Sequence, residues 1–140
     1  MKKIILTIVI LSIVAAVSAQ NNAIRVVKSG KGTPVLFLPG FTSPGSVWKE
    51  TMTNLKGNYQ SHFISYAGFN GIAPIRMPWY ETIKKEMIDY IQSEKLTGLI
   101  IIGHSMGGTL AIDIAAELPS QVKTLVLVDA LPCMRELMMP

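Results

Sequence analysis

Cysteine and histidine are the scarce reactive residues of this sequence, and their scarcity narrows its chemistry. One cysteine, Cys133, among 140 residues excludes an intrachain disulfide framework and a cysteine-rich metal site; it reads as a small buried apolar residue. The two histidines, His62 and His104, both precede residue 105. No metal-ligand spacing, phosphate-binding P-loop or Ca²⁺ loop is present, so no metal or cofactor is expected. Charged residues are also few, at 16%, against 49% hydrophobic, a balance that belongs to a globular chain and not a disordered one. The length allows one domain or a piece of a larger one. There is no internal repeat and no low-complexity tract after the leader.

The leader is the stretch "MKKIILTIVILSIVAAVSAQ". Lys2 and Lys3 open it, an apolar run covers residues 4–17, and Val17-Ser18-Ala19 supplies the small-residue end of a signal-peptidase site before Gln20. The run is shorter than the roughly 20 residues of a spanning helix. Residues 1–19 are therefore expected to be a signal peptide, with export to the periplasm or medium if the source is bacterial. An uncleaved N-terminal anchor is the alternative, and after cleavage no stable membrane span is expected. Removing the two leader lysines lowers the formal charge from +4 to +2. No Lys/Arg cluster with interleaved aromatics is left, so nucleic acid is not an expected partner.

Beyond the leader, short apolar runs alternate with helical patterns. "AIRVVKSG" reads as a short strand, and "PVLFLPG" (34–40) as a strand buried on both faces. Trp48, Met52 and Leu55 at i, i+4, i+7 predict a helix over residues 43–57, stopped by Gly57. "HFISYAG" (62–68) is another strand, followed by a Gly/Pro-rich loop. A second helix is predicted over residues 79–93, with Tyr80, Ile83, Met87, Tyr90 and Ile91 on one face and Lys84, Lys85 and Asp89 pointing outward. "GLIII" is a strand, "SMGGTLAIDIAAEL" an inward-packed helix, and "VKTLVLVDA" (122–130) the last strand. The alternation predicts an α/β fold: a mostly parallel sheet of about five strands with helices on both faces. An apolar parallel strand in last place presents an unprotected edge.

The chemical signal is Gly103-His104-Ser105-Met106-Gly107, a G-x-S-x-G between a strand and a helix. A turn sharp enough to raise a hydroxyl above the sheet forces unfavourable backbone angles at the serine. It also leaves no room for side chains two positions either side. Ser105 would stand at a helix N-terminus, whose free N–H groups favour a developing oxyanion. A tetrahedral oxyanion needs two donors. The backbone N–H of Met106 is one, and that of Phe41, in the loop after "LFLPG", is the candidate for the other.

From about residue 23 to residue 130 the chain resembles the N-terminal half of an α/β-hydrolase: the "VLFLPGF" strand and loop, the "GHSMGG" elbow and the "LVLVDA" strand match in order and spacing. The resemblance implies a serine hydrolase, esterase- or lipase-like, that cleaves an ester or related acyl bond of a small-molecule substrate. In this family His104 has the position used for packing or pocket lining, and Phe41 borders the substrate. Two departures stand out. Pro39-Gly40 replaces a common His-Gly, and "YAGFNG" (66–71) replaces a D-x-x-G-x-G loop, which leaves the pocket shape on that side open.

The family order is Ser, acid, His, and no histidine follows Ser105. His104 is adjacent on a tight turn and His62 belongs to an earlier strand, so neither is expected to be the base. Asp129, at the end of the last predicted strand, is a candidate acid, although relatives more often take theirs one strand later. Asp113 and Glu117 read as structural or solvated. Residues 20–140 are accordingly expected to be the N-terminal part of the domain, with lid and later strands missing, and inactive alone. Two other readings compete. One is a nucleotide-binding βαβ unit, with Asp129 21 residues past Gly108, which is weakened by Ser105 where pyrophosphate must approach. The other is a non-catalytic ligand- or partner-binding member of the same fold.

Overall fold

The computed structural model describes residues 22–132; the leader and Cys133 lie outside the described residues. Strand β1 is Ile24–Gly30, β2 Thr33–Leu38, β3 Tyr59–Tyr66, β4 Leu99–His104 and β5 Val122–Val128. Helix α1 is Lys49–Asn54, entered through a 3₁₀ turn Gly45–Trp48; α2 is Trp79–Ser93 and α3 is Met106–Glu117. The strands form one sheet in the order β1-β3-β2-β4-β5. β1 runs antiparallel to β3, and the other three pairings are parallel. This is the mostly parallel α/β sheet that the sequence predicts, with its crossover helices.

The two faces of the sheet follow from alternation along each strand. Leu36, Leu38, Ile64, Tyr66, Leu99 and Ile101 pack against Ile83, Met87 and Ile91 of α2 and Leu110 and Ile114 of α3. On the other face, Val35, Phe37, Phe63 and Ile102 meet Trp48 and Met52. There the Phe37 ring lies 5.2 Å from Phe63 and 5.8 Å from Trp48.

Helix α2 has the predicted bounds. Thr82 donates through Oγ1 to the Pro78 carbonyl at 2.7 Å, and Glu81 complements the N-terminal dipole end. At the other end Lys95 takes φ +53° and Leu96 N–H closes on the Ile91 carbonyl at 3.0 Å. One outward assignment is corrected. Lys84 keeps only 18% of its side-chain surface and joins Glu81 at 3.3 Å to Glu117 of α3 at 3.0 Å.

The helix predicted over 43–57 is also corrected. It is a 3₁₀ turn and a six-residue α-helix, and Leu55 leaves the helix in an extended conformation, exposed. A methyl on Gly45 would lie 2.4 Å from the Ile64 carbonyl oxygen, so the chain enters pressed onto β3. Gly45 N–H there bonds Ser65 Oγ at 2.9 Å. That entry tightens the first turn and takes Leu55 out of the expected stripe.

β3 begins three residues earlier than predicted, because Gln60 pairs with Gly30 across the antiparallel ladder. β5 is the outermost strand on its side among the described residues, and Val126, Leu127 and Val128 are each more than 40% exposed. No helix among the described residues is long and apolar enough to cross a membrane.

Candidate active site

Ser105 joins β4 to α3 with φ +52° and ψ −122°, a region that non-glycine residues rarely occupy. The corner is held from both sides. Ser105 N–H donates to the Val128 carbonyl of β5 at 3.0 Å, and the Ser105 carbonyl accepts from Gly108 at 2.9 Å and Thr109 at 3.1 Å.

The glycines flanking the corner answer to contacts, as the sequence reading requires. A methyl on Gly103 would lie 2.5 Å from the Gly107 carbonyl oxygen, and one on Gly107 would lie 2.4 Å from both the Leu38 and the Pro39 oxygens. Gly108 is a third such position, because a methyl there would meet the Ala130 Cβ at 2.4 Å. The first turn of α3 is thereby wedged between the ends of β2 and β5.

The loop after β2 runs beside Ser105. A methyl on Gly40 would stand 3.5 Å from Ser105 Cβ and 2.9 Å from Nδ1 of His104. So the His104 ring is turned toward Gly40, half-buried, with the loop lying over it. Phe41 follows Gly40 with its ring about half exposed. Among the described residues the backbone N–H groups of Phe41 and Met106 have no hydrogen-bond acceptor.

Aromatic rings line the same side. Phe41 meets Phe69 edge-on at 4.9 Å and Trp79 at 5.8 Å, and Trp79 also meets Phe69 and Tyr66. The Trp79 indole donates to the Ala67 carbonyl at 2.9 Å, which fixes its ring. Tyr66 and Phe69 fall in the "YAGFNG" stretch that the sequence ties to this side of the pocket, without a part for either ring, and Trp79 has no such sign. A Gly/Asn-rich turn and the first residue of a helix carry no local sign that they meet the loop after β2.

Asp129 lies one residue beyond β5, exposed, with φ +49°. It directly follows the carbonyl that receives Ser105 N–H, so its backbone shares the edge of the sheet with Ser105. The chain then bends over α3, where Thr109 Oγ1 donates to the Leu131 carbonyl at 2.6 Å.

His62 is elsewhere. It is fully buried mid-strand in β3, beside Leu36, with Nδ1 2.6 Å from the Tyr90 hydroxyl and Nε2 3.2 Å from Gln60 Oε1. Leu36 is paired with Ile101, four residues short of Ser105, or about 13 Å along the strand direction. Burial, with the Lys28 charge, pushes the His62 imidazole below its ordinary range. Asp113 accepts from the Tyr80 hydroxyl at 2.9 Å, and Glu117 belongs to the Lys84 ion pair. No group of three metal-ligating side chains stands together among the described residues. A cleft of about 700 Å³ between β1 and α2, lined by Arg25, Glu86 and Asp89 among others, does not include the Ser105 corner.

A profile of the alpha/beta hydrolase family matches residues 35–140. The chain is 30% identical over 105 residues to a pimeloyl-[acyl-carrier protein] methyl ester esterase of Legionella pneumophila, covering 75% of this chain and 41% of the relative. Among solved structures, an esterase from Exiguobacterium antarcticum superposes with TM-score 0.69 at 27% identity, over 76% of this chain and 41% of that one. A hydrolase of the alpha/beta superfamily from Oenococcus oeni gives TM-score 0.71 at 27% identity, over 80% and 43%. The chain thus spans less than half the length of these proteins.

Proposed function

The chain belongs to the alpha/beta hydrolase family, and we propose that it carries the nucleophile and oxyanion donors of a serine hydrolase acting on an ester or related acyl bond. The observation that carries this reading is the backbone of Ser105. A strained residue at φ +52° opens a helix between glycines that tolerate no side chain, and strain of this kind is held where function uses it. The esterase relatives support the bond type.

In the proposed reaction Ser105 Oγ attacks the substrate carbonyl while a base takes its proton. The oxyanion is received by the backbone N–H groups of Met106 and Phe41. His104 and the Phe41 ring border the substrate. The tetrahedral intermediate collapses to an acyl-enzyme by expelling the alcohol, which takes the proton from the base; water then attacks the acyl carbonyl, gives a proton to the base, and releases the acid as Ser105 Oγ is reprotonated. His62 is locked into the core by Tyr90 and Gln60, and the His104 ring is turned toward Gly40, so neither is assigned as base. Asp129 is a candidate for the carboxylate that orients the base. We propose that the base itself, with the lid, comes from polypeptide beyond residues 22–132. Residues 22–132 alone would then hydrolyse esters poorly or not at all. Export through residues 1–19 is part of the same proposal, with a mature N-terminus at Gln20.

The test is turnover of a short-chain p-nitrophenyl ester by the polypeptide of the whole reading frame. Ser105→Ala is expected to lower kcat more than about 1,000-fold with the fold intact. Unchanged turnover in that variant would overturn the assignment. A second reading, a non-catalytic binding protein of the same fold, is favoured by the lack of a histidine positioned as base among the described residues. It predicts a folded protein with no Ser105-dependent turnover.

A further inference from the structure

The loop that carries Phe41 is strained where it should be most exactly held. Gly40 to Ser43 closes a tight turn through Ser43 N–H to the Gly40 carbonyl at 3.1 Å, with Phe41 and Thr42 as its central pair. Thr42 sits at φ +68°, the third position of such a turn, where glycine or asparagine is usual and a β-branched residue is an outlier. Within residues 40–43 the turn is held by that one Ser43 N–H bond. The compensation comes from the turn after β3. Asn70 donates through Nδ2 to the Thr42 carbonyl at 2.9 Å, and Phe69, its neighbour, packs edge-on to Phe41 at 4.9 Å. A second bond enters from below, where the buried Tyr66 hydroxyl donates to the Pro39 carbonyl at 3.3 Å. Two carbonyls, one on each side of the Gly40-Phe41 peptide, are thereby held by side chains from one neighbouring segment.

We propose that Asn70 and Tyr66 are positioning residues: they clamp the loop after β2 in the strained form that directs Phe41 N–H toward the Ser105 corner. The proposal rests on the serine hydrolase reading. Without the Asn70 bond, the Thr42 peptide is free to relax toward negative φ, which rotates the adjoining peptide plane and takes Phe41 N–H off its direction. An amide donor is needed at position 70, since the partner is a carbonyl. The residue must also accept φ +53°, which Asn, Asp and Gly do more readily than other residues.

That last condition makes the test clean. Asn70→Gly and Asn70→Asp both fit the backbone, and both lose the amide donor. In the whole-reading-frame polypeptide each is expected to lower kcat for an ester about 10- to 100-fold with KM little changed. Affinity for a boronic acid or trifluoromethyl ketone transition-state analogue should fall by the same factor. Tyr66→Phe should fall in the same direction by less, because its bond is longer. A merely structural role for residue 70 would leave the ratio of analogue affinity to substrate KM unmoved. If both Asn70 variants keep wild-type kcat and analogue affinity while Ser105→Ala is dead, the clamp is wrong and the serine reading stands. If Ser105→Ala is active, the underlying reading has failed instead.

Discussion

The two sides of the Ser105 corner are built to different standards. On the β2 and β3 side, Tyr66, Phe69, Asn70 and Trp79 interlock with the loop at residues 39–42 through two side-chain hydrogen bonds and a set of edge-on rings. On the β5 side, Val126, Leu127, Val128 and Leu131 are 42–51% exposed, and the carboxylate of Asp129 stands in solvent. A parallel strand made almost wholly of apolar residues is suited to burial on both faces. Among the described residues, the loop at residues 39–42 beside the Ser105 corner is thus held mainly from the β2 and β3 side, whereas the β5 side leaves apolar side chains exposed.

The comparison is sharpened first where contacts are tightest. Gly107→Ala would drive a methyl into two backbone oxygens that cannot move independently of β2. It is expected to cost about 3 kcal/mol in urea unfolding, or to prevent folding. A wild-type midpoint in this variant would mean that the wedge between α3 and β2 is loose. Next, Leu36→Ala in the closed core, where the side chain is fully buried, is expected to lose about 3 kcal/mol. The matched Leu127→Ala on the open strand should lose about 0.5 kcal/mol or less. Equal losses at the two positions would erase the distinction between the sides.

The smallest effect is a pH dependence from the closed side. The folded His62 imidazole is held below its unfolded value of 6.5, chiefly by burial and secondarily by Lys28. As pH falls below about 6.5 the unfolded chain takes up the proton first, so stability is full above that pH and declines beneath it. Glu94 opposes the shift, and the Tyr90 hydroxyl, itself kept protonated by burial, faces the ring. His62→Gln should flatten the decline between about pH 6.5 and pH 5, above the range where carboxylates titrate. A slope identical to wild type would place the proton uptake elsewhere.

Much of this was legible in the sequence, and for identifiable reasons. The apolar runs gave β2, β4 and β5 because strands buried between helices have little choice of composition. The bounds of α2 followed from its stripe of Ile83, Met87 and Ile91. The Ser105 corner was legible because its pattern is local, five consecutive residues between a strand and a helix, although the contacts that exclude a side chain at Gly107 come from Leu38 and Pro39. The helix over 43–57 was misread because its entry is fixed by Gly45 against Ile64, a contact across the chain and not a local pattern. The stretch 66–71 was legible as one side of the pocket, but the parts of Phe69 and Asn70, and Trp79 altogether, were not, since Asn70 meets Thr42 from 28 residues away. His62, not expected to be the base, is held in the core by Tyr90 and Gln60.

If Ser105 is the nucleophile, a phosphonylating probe will capture it. The polypeptide of the whole reading frame would be treated with a fluorophosphonate and digested, and the adduct located by mass spectrometry. One phosphonyl group is expected on the peptide that contains Ser105, and none after Ser105→Ala. An unmodified Ser105 in a folded protein, or an adduct on another serine, would contradict that role for Ser105.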